Sequence, residues 1–255
     1  SKVTNLENGF WGIMAAPVMK SYFENTLFVN ENNSFFIRRD YQNHVQKIRE
    51  RVASFLGVGA DEIVLTRGAT ETLQALIGNY NKLKPGDTVL YADLDYSEMK
   101  NAIRWLEMRR GVNVVKINFP EPATRDNVIE MYERAFKDNP STKLMLMTHL
   151  NNWTGFIPPV REVADMARAR GIDVILDAAH SVGQVDFRMA DMGCDFIGVN
   201  LHKWVGAPIG CGIMYIKRHR IKDINTYMGH SPDSPRIDAR IDTGTTNFAA
   251  YLTLP

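Results

Sequence analysis

An aspartate directly follows a short apolar run in the second half of the chain. Asp177 comes after Val-Ile-Leu at 174–176 and opens the segment DAAHSVG. In open α/β sheets, ligands bind at the carboxyl ends of the parallel strands. A carboxylate buried there is costly unless a positive group pairs with it. A protonated ring nitrogen, a metal ion or a helix N-terminus would each serve as that partner, and an ordinary capping or loop aspartate is an equal alternative.

A lysine holds the corresponding position after the next apolar run. Lys203 follows FIGVNLH. Lysine in a dry, partly cationic pocket loses its proton readily, and the free amine can attack an aldehyde. A single lysine after a strand is usually a surface residue. Together with Asp177 at the end of another strand, it indicates a reactive amine.

A glycine turn supplies a third chemical group. In LTRGATETLQ, a strand turns through Gly68 into a helix that begins near Thr70. Free backbone N–H groups and the helix dipole suit a phosphate there, with the Thr70 hydroxyl as an added donor. Such a turn also caps ordinary helices, so it indicates a phosphate site only in combination with Asp177 and Lys203.

The elements that must position these groups alternate along the chain. Strands are predicted in EIVLT, TVLYAD, VNVVKINF, KLMLMTH, DVILDAAH, DFIGVNL and CGIMYIK. Helices are predicted in TETLQALIGNY, SEMKNAIRWLEMRRG, residues 126–137 and PPVREVADMARARG. This alternation predicts an α/β fold, a mostly parallel sheet with helices on both faces. A long helix is expected over about 40–56. We divide the chain into an irregular N-terminal segment, 1–40, and a large domain, 41–255.

Composition and charge limit the classes of partner, metal site and location that the sequence favours. The 255 residues carry a formal net charge of +1, which favours neither nucleic acid nor an anionic membrane as partner. The histidines are scattered, without metal-ligand spacing on any element. Cys194 and Cys211 lie in apolar stretches and are expected to be buried free thiols. No long apolar run and no signal peptide is present, so the cytoplasm is the default location. A targeting segment lost upstream of Ser1 stays an alternative.

These motifs, in this order, resemble the class V aminotransferase family of fold-type I pyridoxal-phosphate enzymes, which includes cysteine desulfurases and isopenicillin N epimerase. The resemblance extends from about residue 8 to residue 255 and is nearest to the isopenicillin N epimerase-like branch. It is carried by NGFWG, TRGATE, DLDYSE, THLNNWTG, DAAHS, NLHKW and DTGTTNFAAYLTLP. It implies that the large domain binds pyridoxal 5′-phosphate. It also implies that the family's small C-terminal domain is absent or truncated, since that domain would begin about where this sequence ends.

The resemblance assigns roles to individual positions. Lys203 would be the Schiff-base lysine and the proton shuttle at Cα, and Asp177 would pair with the pyridine nitrogen. The remaining positions would contact the cofactor. Gly68, Ala69 and Thr70 would hold its phosphate, with His202 as an additional phosphate or orienting donor. Tyr96 would lie over its ring, and Asn152 and His180 would lie near its 3′-oxygen. Gly244 and Thr245 would reach the phosphate of a neighbouring subunit, which implies a homodimer with shared sites.

Several positions keep simpler explanations. Tyr96 could be an ordinary aromatic at a helix start, and His180 a satisfied core histidine. His149 is ambiguous, and Trp11 and Trp204 could be core residues or walls of the substrate pocket. No motif selects the group that holds the substrate carboxylate among the candidate arginines, which are Arg38, Arg39, Arg236 and Arg240.

The function expected from these residues is a pyridoxal-phosphate enzyme that acts at the α-carbon of a small amino acid, as an epimerase or a lyase. On the same scaffold, a cysteine or selenocysteine lyase and an aminotransferase are alternatives. A catalytically incomplete protein that only binds the cofactor is an alternative of another class. A nucleotide-binding α/β domain is disfavoured, because no G-x-G-x-x-G opens the first helix.

Overall fold

A seven-stranded sheet forms the centre of the computed structural model, which describes residues 4–242 and 244–254. Its strands are β1 (Ile63–Thr66), β2 (Thr88–Ala92), β3 (Asn113–Ile117), β4 (Thr142–Thr148), β5 (Asp173–Asp177), β6 (Phe196–Asn200) and β7 (Gly212–Ile216). Their order is β1-β7-β6-β5-β4-β2-β3. Only the pairs that involve β7 are antiparallel in the described part of the chain. The predicted α/β architecture with a mostly parallel sheet is confirmed.

Helices cover both faces of this sheet. They are α1 (Ala16–Arg39), α2 (Tyr41–Leu56), α3 (Ala69–Asn79), α4 (Ser97–Arg110), α5 (Arg125–Asp138), α6 (Val160–Ala169) and α7 (Phe248–Leu252). Alternate residues of each strand enter different cores. Met145 and Met147 of β4 pack with α2, α5 and α6, whereas Leu144 and Leu146 pack with α3 and α4. Burial on both faces explains why these strands read as continuous apolar runs.

The expectation of an irregular chain up to residue 40 is wrong. Residues Ala16–Arg39 are helical, with proline in the first turn and a kink at Asn33, whose φ is +36°. One side of α1 packs on α7, and the Asn25 amide donates to the hydroxyl of Thr253, just after α7, at 3.0 Å. Asparagines and exposed aromatics obscure the helical period in the sequence. The packing that stabilises this helix comes from the opposite end of the chain, which local patterns do not reveal.

The direction of the strands brings the predicted chemical groups to one edge. Because β1 and β6 are both antiparallel to β7, they run the same way, and β5 is parallel to β6. The turn at Gly68, the end of β5 and the loop after β6 therefore share the carboxyl edge of the sheet.

Two further sequence expectations can be compared with the structure. Cys194 and Cys211 are buried free thiols, as expected. No helix among the described residues is both long enough and apolar enough to cross a membrane.

Gly212, the first residue of β7, fits closely between two backbone segments of the carboxyl edge. A Cβ atom at this position would lie 2.6 Å from the Cα of Gly68 and 2.8 Å from the carbonyl oxygen of Val199. Both neighbours are backbone, so neither can rotate away as a side chain would. The absence of a side chain at 212 lets the turn before α3 approach β6.

We therefore expect Gly212→Ala to destabilise the chain by about 1–3 kcal/mol, the usual cost of overpacking. Gly78→Ala is the matched control. Gly78 lies in α3 with nothing within 4 Å of its would-be Cβ, so alanine there should stabilise by up to about 1 kcal/mol. Urea denaturation measures both changes. Equal stability of Gly212→Ala and the parent chain would contradict the close approach.

Candidate active site

A cavity of about 650 Å³ opens at the carboxyl edge of the sheet. It is lined by all the predicted site residues except two. The lining ones are Gly68, Ala69, Thr70, Tyr96, Asn152, Asp177, His180, His202 and Lys203. Gly244 and Thr245 are exposed and do not line it. Within one chain the cavity is thus formed by five connections that follow β1, β2, β4, β5 and β6.

Asp177 ends β5 and is almost fully buried, at 4% exposure. Its side chain accepts one hydrogen bond, from the Ala179 N–H at 3.0 Å. Burial raises the pKa of Asp177 to about 6, although the Ala179 N–H and the charge of Lys203 act against this. A carboxyl group so placed favours a cationic partner in the cavity, because the partner would replace the hydration that burial removes.

The Lys203 amine is in hydrogen-bond contact with a histidine of the cavity. Its Nζ lies 2.7 Å from Nε2 of His180, and Nδ1 of the same ring accepts from the Trp204 indole at 3.3 Å. Burial lowers the pKa of Lys203, while Asp177 and Glu7 act against this. Burial also lowers the pKa of His180 to about 4. The partly cationic surroundings expected for Lys203 are therefore absent at this ring, which is neutral.

The turn before α3 is a narrow cradle. A Cβ at Gly68 would lie 3.1 Å from Oδ1 of Asn200 and 3.4 Å from Cε1 of His202. That Asn200 oxygen already accepts the Ala69 N–H at 2.7 Å. Contrary to expectation, this N–H is therefore not free to bind a phosphate. Thr70 lies in the first helical turn, where N–H groups lack intrahelical acceptors.

Asn200 is a site residue that the sequence reasoning missed. It ends β6, is 6% exposed and lines the cavity. The available signal was a polar residue at the carboxyl end of a buried strand, the same signal that selected Asp177.

His202 has a defined orientation. Its Nδ1 lies 3.0 Å from the carbonyl oxygen of Cys211, so Nδ1 carries a proton and donates. Burial lowers the pKa of His202. The neutral ring then presents Nε2 as an acceptor, and it can donate to an anion only after taking up a second proton.

The turn that follows β4 is stabilised by the side chain of Asn151, the residue before the predicted Asn152. The Asn151 side chain is buried and accepts the N–H groups of Trp153 and Thr154 at 3.0 and 2.9 Å. Asn152 is exposed and lines the cavity, as does Tyr96 at the start of α4. Asn151 therefore holds the turn that presents Asn152.

The N-terminal segment also contributes to the cavity, through residues that the sequence reasoning did not select. Glu7, Gly9 and Phe10 line it. The Gly12 N–H donates to the His202 carbonyl at 2.7 Å, and a Cβ at Gly12 would lie 1.8 Å from the carbonyl oxygen of Lys203. The glycines of NGFWG were the signal for this close approach.

None of the four candidate arginines lines the cavity. Arg240 is buried and donates from Nε to the Ile221 carbonyl at 3.0 Å, and Arg236 pairs with Asp238. Arg67 does line it and forms an ion pair with Glu71.

The ambiguous aromatic side chains can also be placed. His149 is buried edge-on against Phe187, and burial lowers its pKa to about 4. Trp11 is half-exposed, and neither residue lines the cavity.

Proteins of known sequence resemble this chain over most of its length. A probable cysteine desulfurase from Methanothermobacter thermautotrophicus is 27% identical over 221 residues, 82% of this chain and 54% of the relative. Isopenicillin N epimerase from Streptomyces clavuligerus is 26% identical, over 87% of this chain and 55% of the relative. A putative L-cysteine desulfhydrase from Oryza sativa is 29% identical, over 85% and 48% respectively. The chain spans about half the length of the curated relatives it matches.

Solved structures share the fold. The apo cysteine desulfurase from Thermococcus onnurineus superimposes with a TM-score of 0.84 at 22% identity, over 99% of this chain and 66% of that one. A C-DES mutant with glycine covalently linked to its PLP cofactor superimposes with a TM-score of 0.85 at 18% identity, over 97% and 68%.

A family model extends this likeness to nearly the whole described chain. The model for aminotransferase class-V matches residues 18–254. These residues include all seven strands and every predicted site residue. The chain belongs to the class-V aminotransferase family.

Proposed function

We propose that this chain forms the cofactor-binding part of a pyridoxal 5′-phosphate enzyme that acts at the α-carbon of a small amino acid. The observation that carries the proposal is one cavity that brings the Lys203 amine together with the buried Asp177 carboxyl group and the glycine turn before α3. Family membership and the named relatives support the same cofactor.

The donor set fits the cofactor. Pyridoxal 5′-phosphate carries a phosphate, a basic ring nitrogen and an aldehyde, and the cavity offers a helix N-terminus, a buried carboxyl group and an amine. Its volume, about 650 Å³, is in the range of small-molecule sites. The carboxyl group of Asp177 has a raised pKa and one backbone hydrogen bond, so a ring nitrogen that brings a proton would stabilise its ionised form.

The residues divide the work by position. Thr70 and the first turn of α3 would hold the phosphate, and His202 would join them only as an imidazolium, since its Nδ1 proton already binds the Cys211 carbonyl. Asp177 would hold a proton on the ring nitrogen, and the cofactor would then supply an electron sink for a bond broken at Cα. Lys203 would hold the cofactor covalently and move a proton at Cα.

The type of reaction is a finer proposal. Two relatives are named for sulfur chemistry on cysteine and one for epimerisation. We favour loss of a Cα proton as the shared first event, because it serves epimerisation and β-elimination alike. Neither cysteine of these 255 residues is exposed. A desulfurase that transfers sulfur to a cysteine would need an acceptor from outside this sequence.

Exchange of the Cα proton tests the proposal directly. In D₂O with pyridoxal 5′-phosphate, NMR should show loss of the Cα–H signal from at least one small amino acid. Sulfide and pyruvate from cysteine would identify β-elimination, and appearance of the D-isomer would identify epimerisation. Cofactor binding without exchange of any amino acid would leave only the binding function.

The covalent link is expected at Lys203. Borohydride reduction followed by peptide mapping should place a pyridoxyl group on Lys203, because its partly buried amine lies in the cavity with a lowered pKa. Lys203→Ala should abolish the label while some noncovalent cofactor remains. Lys217→Ala, which changes a lysine that likewise follows a strand of the sheet, should keep full labelling. A label on another lysine would overturn the assignment.

Asp177→Asn should bind the cofactor yet lose activity. An amide does not keep the ring nitrogen protonated, and loss of one preorganised electrostatic contact typically costs 10²–10³-fold, about 3–4 kcal/mol. Turnover and Cα-proton exchange measure the effect. Asp186→Asn, at an exposed carboxylate on the loop after β5, should leave both unchanged. Near-normal exchange in Asp177→Asn would assign Asp177 a structural role.

The site is proposed to be shared within a homodimer. Gly244 and Thr245 are exposed and lie outside their own chain's cavity. Their backbone and hydroxyl donors would suit the phosphate in a second copy. Thr245→Val should weaken cofactor affinity by about 1.5–3 kcal/mol, the value of one hydrogen bond to a charged group. Sedimentation with and without cofactor tests the link to assembly, and a cofactor-saturated monomer would exclude shared sites.

A further inference from the structure

Trp204 lies behind the ring that contacts Lys203. Its indole Nε1 donates to Nδ1 of His180 at 3.3 Å, and the opposite ring nitrogen, Nε2, lies 2.7 Å from Nζ of Lys203. One imidazole thus connects the indole to the amine. The proposed function gives Trp204 no role.

The direction of the first hydrogen bond determines the direction of the second. An indole N–H can only donate, so Nδ1 of His180 must be the acceptor and carries no proton. A neutral imidazole then has its proton on Nε2 and donates there. An ammonium group has donors and no acceptor, whereas a neutral amine has a lone pair. The contact at 2.7 Å is therefore satisfied only when Lys203 is uncharged.

We propose that Trp204 is a positioning residue that keeps Lys203 in its neutral, nucleophilic form by fixing the tautomer of His180. This role rests on the proposed function for its purpose, since attack on a carbonyl carbon requires a lone pair on Nζ. When the cofactor is bound, the same tautomer leaves His180 a donor toward the cavity.

The groups around Lys203 act in opposite directions on the charge of its amine. The carboxylates of Asp177 and Glu7 favour the charged amine, whereas burial disfavours it. His180 itself is neutral, because burial lowers its pKa to about 4. His202 donates its Nδ1 proton to the Cys211 carbonyl, so Nδ1 of His202 does not hydrogen-bond to Nζ of Lys203. The tautomer of His180 adds a third influence, in the same direction as burial.

The backbone holds Trp204 and His180 in this relation. Gly183, three residues after His180, has a φ of +88°, and a Cβ there would lie 2.8 Å from the carbonyl carbon of Trp204. The loop after β5 therefore lies directly on the segment that carries Trp204. The N-terminal segment also touches the His180 ring, since a Cβ at Gly9 would lie 3.4 Å from its Cε1.

The tautomer can be measured without any substitution. Nitrogen-15 and carbon-13 NMR of histidine-labelled protein reports which ring nitrogen carries the proton. We expect His180 to carry it on Nε2 at neutral pH in the cofactor-free chain. A proton on Nδ1 would overturn the proposal, because the indole could not then donate to that nitrogen.

The effect on Lys203 is measured by competitive acetylation across pH, with the label at each lysine quantified by mass spectrometry. Trp204→Phe keeps an aromatic ring and removes the N–H. Nε2 could then accept, the ammonium form would gain a partner, and the midpoint for Lys203 should rise by about one pH unit. At any given pH, that shift is an about tenfold rise in the ratio of ammonium to free amine at Lys203. Trp105→Phe, which changes a half-exposed indole on α4, should leave Lys203 unchanged.

A double substitution separates positioning from general damage. If Trp204 acts through His180, Trp204→Phe should have no further effect on the Lys203 midpoint in a His180→Ala background. An unchanged midpoint in Trp204→Phe, or an equal shift in both backgrounds, would refute the role.

These readouts use the cofactor-free chain, so they fail or succeed independently of the proposed function. A shifted midpoint with no pyridoxyl label on Lys203 would support the role of Trp204 and contradict the proposed cofactor. A label on Lys203 with no shift would do the reverse.

Discussion

The burial of an unpaired carboxyl group at the end of β5 is the constraint on which the rest of this site depends. Asp177 receives one backbone hydrogen bond, and its charge has no ion-pair partner among the described salt bridges. A fold tolerates such a group when it serves a ligand, since the ligand supplies what solvent no longer does. The neighbouring chemistry follows from this arrangement. Lys203 lies in the same cavity as Asp177, so both groups can contact one ligand. An ammonium group at Lys203 would instead form an ion pair with the Asp177 carboxylate. Burial of Lys203 and the neutral ring of His180 both disfavour the ammonium form.

Much of this arrangement could be predicted from the sequence because it depends on strand direction alone. Apolar runs such as KLMLM identify buried strands, and parallel strands place whatever follows them at one edge. Asp177 ends β5, and Gly68 and Lys203 lie two and three residues beyond β1 and β6. Their convergence therefore needed no knowledge of side-chain packing. Helix α3 was equally visible, since its apolar residues recur at helical spacing after a glycine turn.

What the sequence did not reveal is set by contacts between distant segments. Helix α1 is stabilised by α7, and Glu7 and Gly9 enter the site because Gly12 lies on the backbone of Lys203. Hydrogen-bond direction was also out of reach. Whether Ala69 has a free N–H depends on Asn200, and whether His202 can donate depends on the carbonyl of Cys211. Such details are settled by a few tenths of an ångström, which residue types and spacing do not encode.

The position of β7 has a consequence for how this chain acquires its structure. Among the described strands, β1 pairs with β7 alone, through partners such as Ile63 and Tyr215. During synthesis from the N-terminus, β1 and the Gly68 turn emerge long before the strand that must hold them in the sheet. Central strands β2, β4, β5 and β6 can associate first, whereas the edge with β1 closes only when residues 212–216 are available. Contacts between residues so far apart in the chain are slow to form. The edge that carries the Gly68 turn is therefore the last part of the sheet to assemble, and a nascent chain released before β7 would contain Lys203 without that edge in place.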